Sequence, residues 1–116
     1  MASLRSTEEY QRYESYKANG GLDNGCRLCE REALRDFEHW KIIQNEFPYD
    51  VLAKVHHMIV PRRHTTESGL SEAERTELLA IKDDYIHKTY EFLMEATHLT
   101  RSIPEHFHLH LVVVKD

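Results

Sequence analysis

The chain has 116 residues, 41% hydrophobic and 30% charged, with 15 Lys and Arg against 20 Asp and Glu for a formal charge of −5, and nine histidines. That length suits one domain with one modest core, so residues 1–116 are read as a single domain. The acidic balance argues against nucleic acid or an anionic membrane surface as a partner, since both need clustered Lys and Arg. No run approaches the ~18 to 20 apolar residues of a membrane span, and Met1 to Glu9 has no apolar signal core, which reads as a soluble, cytoplasmic protein. Cys26 and Cys29 are too few to staple a secreted fold; they suit a thiol or metal role in a reducing compartment.

In chain order, Ser6 to Asn19 reads as a helix: Ser6-Thr7 opens it, Glu8 and Glu9 occupy the first turn, Tyr10, Tyr13 and Tyr16 share a side, and Gly20-Gly21 closes it. Gly20 to Gly25 is a loop by composition. A helical stretch is expected from Glu30 to Phe37. His39 to Phe47, rich in aromatic and β-branched residues and ending at Pro48, predicts a strand, and Val55 to Val60, stopped by Pro61, a second one reached through a loop at Asp50 to Lys54. Ser71 and Glu74 make a capping-box signature. The recurrence of Leu78, Ile81, Tyr85, Ile86, Tyr90, Leu93 and Ala96 then predicts one long helix from Ser71 to Ala96. His106 to Val114 alternates and then turns wholly apolar, as a last strand. With no repeated strand-helix-strand unit, this order implies the α+β class: an antiparallel sheet with helices packed against it.

Six of the nine histidines lie in two short segments, 56–64 and 106–110. A strand period of two puts His106, His108 and His110 on one face and Phe107, Leu109, Leu111 and Val113 on the other. Each imidazole presents two ring nitrogens, and burying an unpaired polar group costs about 1 to 3 kcal/mol, so three in line are costly as plain core. Two chemistries suit them. Imidazoles can ligate a transition metal, or one can act as nucleophile or base while its neighbours orient it and bind an anion. His57 should point to the opposite sheet face from His56. His39, His87 and His98 stand outside the clusters, and Arg62 and Arg63 read as a solvated turn or a local phosphate-binding charge.

His106-Phe107-His108-Leu109-His110-Leu111-Val112 resembles the His-φ-His-φ-His-φ-φ signature (φ apolar) of the histidine triad (HIT) family of nucleotide hydrolases and transferases. His56-His57-Met58-Ile59-Val60-Pro61-Arg62-Arg63-His64 is similar to the family's His-x-Leu-Val-Ile-Pro-Lys-x-His strand. Asn45 with Phe47-Pro48-Tyr49 resembles the Asn-x-Phe-Pro-Tyr of some branches, and Cys26-Arg27-Leu28-Cys29 the Cys-x-x-Cys of zinc-containing members. The resemblance spans Cys26 to Val114. Eleven positions separate Asn45 from His56, more than is usual in the family, which marks Val51 to Lys54 as an insertion.

The resemblance implies a half-barrel antiparallel meander with a long packed helix, and a homodimer. It implies that His108 is the nucleophile on the α-phosphate of a nucleotide-type small molecule, forming a nucleotidyl-histidine, and that His110 and His56 contact phosphate oxygens or relay the proton. Asn45 would contact the ribose. Ser102, with Arg101, stands where the family places polar phosphate contacts, although this stretch lacks the family's glycine-containing loop. Cys26, Cys29, His64 and His106 would hold a structural zinc, closed to water by its four protein ligands. Two other readings are a zinc-stabilised nucleotide-binding or scaffold module with little turnover, and a mononuclear metalloenzyme ligated by His106, His108 and His110.

Overall fold

In the computed structural model, which describes residues 4–21, 25–100 and 103–116, helix α1 (Thr7–Ala18) leads to a one-turn helix α2 (Arg27–Glu30) and three strands. These are β1 (Arg35–Asp36), β2 (Trp40–Gln44) and β3 (Ala53–Pro61). Helix α3 (Glu72–Ile81) continues through a π turn (Lys82–Ile86) into a last α turn, α4 (His87–Thr89), and β4 (Phe92–Met94) and β5 (Leu109–Val114) follow. The strands make one open antiparallel sheet in the order β1-β2-β3-β5-β4. This is the expected α+β class, with a meander over the first three strands and β5 inserted between β3 and the edge strand β4. Among the described residues no helix is long and apolar enough to cross a membrane.

The helix starts follow local chemistry. The Ser6 hydroxyl accepts the Glu9 N–H at 3.2 Å, and α1 stops at Asn19, before Gly20 in the left-handed region (φ 77°). At α3 the capping box forms in full: Glu74 N–H donates to Ser71 Oγ at 3.1 Å and Ser71 N–H to Glu74 Oε1 at 2.7 Å, a device worth about 1 kcal/mol. Glu74 does more than cap. Its buried carboxylate takes the Arg63 guanidinium at 2.7 Å, which holds it down to about 2, and its backbone carbonyl accepts the indole N–H of the fully buried Trp40 at 2.9 Å. Arg63 thus binds a carboxylate, and Arg62 pairs with Asp36.

Alternation along the strands builds a separate apolar cluster on each face of the sheet. Trp40, Ile42, Ile59, Leu109 and Leu111 meet Ile81 and Ile86 on one side. On the other, Ile43, Met58 and Val60 meet Leu28 of α2. The first face is core; the second also carries the histidines.

Three expectations are corrected by long-range pairing. The long helix ends at Thr89, not Ala96: Tyr90 turns extended (φ −116°, ψ 156°), and Phe92, Leu93 and Met94 pair with Val112, Leu111 and His110. Tyr90 and Leu93 still pack on the core, so both periodicities accommodate them, and hydrogen bonds from β5 decide for the strand. The expected helix over Glu30 to Phe37 is instead the single turn α2, after which Arg31 is extended and β1 pairs Arg35 with Ile42 and Asp36 with Lys41. The last strand's ladder begins at Leu109 rather than His106; before it, Phe107 N–H donates to Thr65 O at 2.7 Å, which keeps the alternation going outside the ladder. The loop expected over Asp50 to Lys54 is shorter: the chain turns at Asp50 to Leu52, Leu52 and Ala53 N–H both donate to Tyr49 O, and β3 already starts at Ala53, which pairs with Val114.

Candidate active site and metal centre

His56 of β3, His110 of β5 and His108 just before β5 come together on the second face, and all are buried. His56 Nδ1 must accept, because its partner is the backbone N–H of Tyr49 at 3.0 Å; its Nε2 therefore carries the proton and donates to His110 Nδ1 at 2.8 Å. By the same bookkeeping His110 carries its proton on Nε2. His108 Nδ1–H donates to its neighbour's backbone, His106 O, at 2.9 Å, so the lone pair of the His108 ring sits on Nε2. Burial, aided by Arg5 and His57, pushes His56 down to about 4 from its ordinary 6.5. Burial, with His56, His108 and Arg5, pushes His110 down to about 3. Both are neutral near pH 7.

Tyr49 lies against both rings, its centroid 4.5 Å from that of His56 and 5.2 Å from that of His110. Asn45 Oδ1 accepts the Phe47 N–H at 2.8 Å, which turns the Asn45 amide nitrogen towards His56 Nε2 at 3.3 Å, a contact between two proton-bearing atoms. A cavity opens beside these groups, lined by His108, His110, Asn45 and Tyr49 together with arginines. A lone-pair nitrogen, N–H donors and positive charge around one cavity can hold an anionic group and attack it.

The second cluster sits at the other end of the histidine segment. Cys26 at the N-cap of α2, Cys29 within it, His64 and His106 bring four donor atoms within 4.8 Å of one another. Both thiols lie 3.2–3.3 Å from His106 Nδ1, and His64 Nδ1 is 3.4 Å from Cys29 Sγ and 3.2 Å from His106 Nδ1. His106 Nε2–H donates to Pro61 O at 2.9 Å, which leaves the lone pair on the Nδ1 that faces the thiols. Burial lowers the His106 pKa, and neutral imidazole is the ligating form. The buried Lys41 ammonium steadies the cysteine turn by donating to Cys29 O at 3.2 Å and Arg31 O at 2.7 Å. These four residues could hold a metal ion. His106, His108 and His110 do not converge as a ligand set among the described residues, against the metalloenzyme reading.

The structure therefore gathers His56, His108, His110 and Asn45 at one site and Cys26, Cys29, His64 and His106 at another. Ser102, with Arg101, lies outside the described residues. His57 faces the opposite side, where its Nδ1 and the Tyr90 hydroxyl are hydrogen-bonded at 2.7 Å. His87 and His98 are exposed. Sequence reasoning missed Arg5 as a cavity residue and the bracing role of Tyr49; the Phe-Pro-Tyr stretch signalled the second, and nothing local to residue 5 signalled the first.

A histidine-bearing strand inside an open five-stranded antiparallel sheet, backed by a capped helix, is a HIT-like fold. The structure of a HIT family hydrolase from Clostridium thermocellum is similar to it, with a TM-score of 0.55 and 20% sequence identity, covering 77% of this chain and 90% of that one. No family model matches the sequence, and no curated protein matches it.

Proposed function

We propose that the protein is a nucleotidyl hydrolase or transferase that attacks the α-phosphate of a nucleotide derivative with His108. The observation that supports this reading is the His108 ring itself: its Nδ1–H is committed to a backbone carbonyl, which leaves the lone pair on Nε2 in a ring that lines the cavity beside the neutral His110 imidazole. The Nε2 pair forms the N–P bond as the bond from phosphorus to the leaving group breaks, and the leaving group departs with that electron pair and takes up a proton from solvent. The His108 ring is then a cation, which the His106 carbonyl at Nδ1–H stabilises. The His110 Nε2–H donates to a phosphate oxygen, and His56 keeps that tautomer in place through Tyr49. Water, or another acceptor, then forms a new bond to phosphorus, loses a proton, and returns the pair to Nε2. Asn45 is positioned for the ribose, and Ser102 is assigned to phosphate binding by its place in the sequence.

Zinc is the metal proposed for the thiol and imidazole cluster. Bonds of about 2.3 Å to sulfur and 2.0 Å to nitrogen put the donors of a tetrahedral zinc about 3.3 to 3.8 Å apart, and spacings of 3.2–3.4 Å support that fit. With four protein ligands it would be structural, tying α2 to the sheet. A homodimer, a cytoplasmic setting, a single domain over residues 1–116 and a site that takes small molecules rather than nucleic acid complete the reading. Incubation with a nucleoside phosphoramidate and a dinucleoside polyphosphate, then trapping and mapping of the adduct, is the test. A nucleotidyl group on His108 is expected; neither turnover nor adduct across such substrates would leave only a binding module.

A further inference from the structure

The turn at Asp50 to Leu52 has a partner in the segment before α1. Val51 N–H donates to Leu4 O at 3.0 Å, and Asp50 accepts both the Ser6 N–H and the Ser6 hydroxyl at 2.6 Å, one on each carboxylate oxygen. Those two bonds hold the Asp50 carboxyl below its usual range. The segment before α1 is thereby strapped across the entrance to β3. Between its two anchors stands Arg5, whose Nε–H donates to Phe47 O at 2.8 Å and whose guanidinium carbon lies 4.3 Å from the Tyr13 ring centroid and 5.0 Å from that of Tyr49. Tyr49 is the ring that covers His56 and His110, so this charge sits one aromatic layer from those two imidazoles, in the lining of the same cavity.

On an acidic chain that cavity is cationic. Its described lining residues include three arginines, Arg5, Arg27 and Arg31, against one glutamate, Glu46. Glu46 is shared by Arg27 and Arg31, each 3.4 Å from Oε2, and Arg27 is bonded to Glu30 as well. Arg5 is the arginine whose field reaches the histidines: it disfavours the charged form of both His56 and His110. A planar guanidinium stacked on two aromatic rings is preorganised for phosphate oxygens.

We propose that Arg5 is a substrate-contacting residue that receives the phosphate-bearing part of the ligand beside His108 and His110, carried there by an N-terminal strap that the Asp50 turn pins in place. The proposal builds on the nucleotide reading above and gives the extra residues at Val51 to Lys54 a purpose. It makes the ligand a phosphate-bearing anion, matched by a cation from a segment distant in sequence from every histidine.

The test is calorimetric titration of the intact protein with AMP and, separately, with pyrophosphate, neither of which requires turnover. Arg5→Gln is expected to weaken whichever probe binds by about 10- to 100-fold, with Arg5→Lys recovering part of the loss. Asp50→Ala, which lies outside the cavity lining and releases the strap, is expected to weaken it by about 3- to 10-fold. Wild-type affinity in Arg5→Gln overturns the inference. If Arg5→Gln does not fold, Asp50→Ala decides, and wild-type affinity there overturns it equally. Wild-type protein that binds pyrophosphate but not AMP, with the loss in Arg5→Gln, keeps the strap and removes the nucleotide. Wild-type protein that binds neither probe overturns the inference.

Discussion

His106 and His108 stand two residues apart on the same side of one extended segment, both buried, yet their rings are wired in opposite senses. His106 gives its Nε2–H to Pro61 O and turns Nδ1 towards two thiols; His108 gives its Nδ1–H to His106 O and keeps the lone pair on Nε2, by the cavity. A backbone carbonyl chooses the tautomer in each case, and the tautomer chooses the role: donor to a cation at one end, electron pair for an electrophile at the other. The surroundings match. Two thiols and the His64 imidazole crowd His106, four donor atoms within 4.8 Å that could hold a metal ion, whereas N–H donors and arginine surround the second site.

The contrast can be broken most severely at the metal end. Cys26→Ser is expected to lose bound metal and several kcal/mol of stability, because metal binding there is also folding energy; metal analysis and thermal unfolding check both, and full retention of metal contradicts the ligand assignment. His108→Ala should behave oppositely. It should keep the metal and unfold within about 1 to 2 kcal/mol of the wild type, while trapped adduct disappears and turnover falls by about 10³-fold or more. Loss of metal in that variant would erase the division between the two sites.

A smaller effect separates them by pH. His56 and His110 bind protons only near 4 and 3 in the folded chain but near 6.5 when unfolded, so the unfolded state takes up more protons in that window. Their contribution to stability therefore falls as pH drops below about 6.5 and levels off below about 3, a loss of at most about 8 kcal/mol for the pair. Denaturant unfolding at pH 7 and pH 5 should show a smaller acid loss in His110→Asn than in the wild type, since effects on the metal site are common to both; equal losses contradict the assignment. Smallest of all, Asn45→Ala removes the acceptor for the Phe47 N–H and should cost about 1 kcal/mol, with metal content unchanged.

Much of this was legible beforehand where a signal is local or repeats at short range. The α1 and α3 caps rest on Ser6, Ser71 and Glu74, and strand alternation correctly separated His106, His108 and His110 from Phe107, Leu109 and Leu111. The two ligand and triad sets were legible only through three spaced motifs read together. Phe92 to Met94 was not legible as a strand, because its partner lies about twenty residues later and Leu93 fits a helical stripe equally well. Nor was the end of α2, which depends on Lys41 reaching back to Cys29 O and Arg31 O. Arg5 is the extreme case: it meets Phe47 and Tyr49 over more than forty positions.

By itself, then, the sequence determined the class of fold and the faces of the strands, since both follow from caps and periodicity, while the grouping of the histidines and cysteines was only implied by a family resemblance. Tertiary structure alone decided which ring nitrogen each histidine presents, where the long helix yields to an edge strand, and which arginine reaches the cavity. Those depend on backbone carbonyls, ladder partners and a strap that are close in space and far apart in the chain, and a hydrogen bond is sensitive to the first distance only.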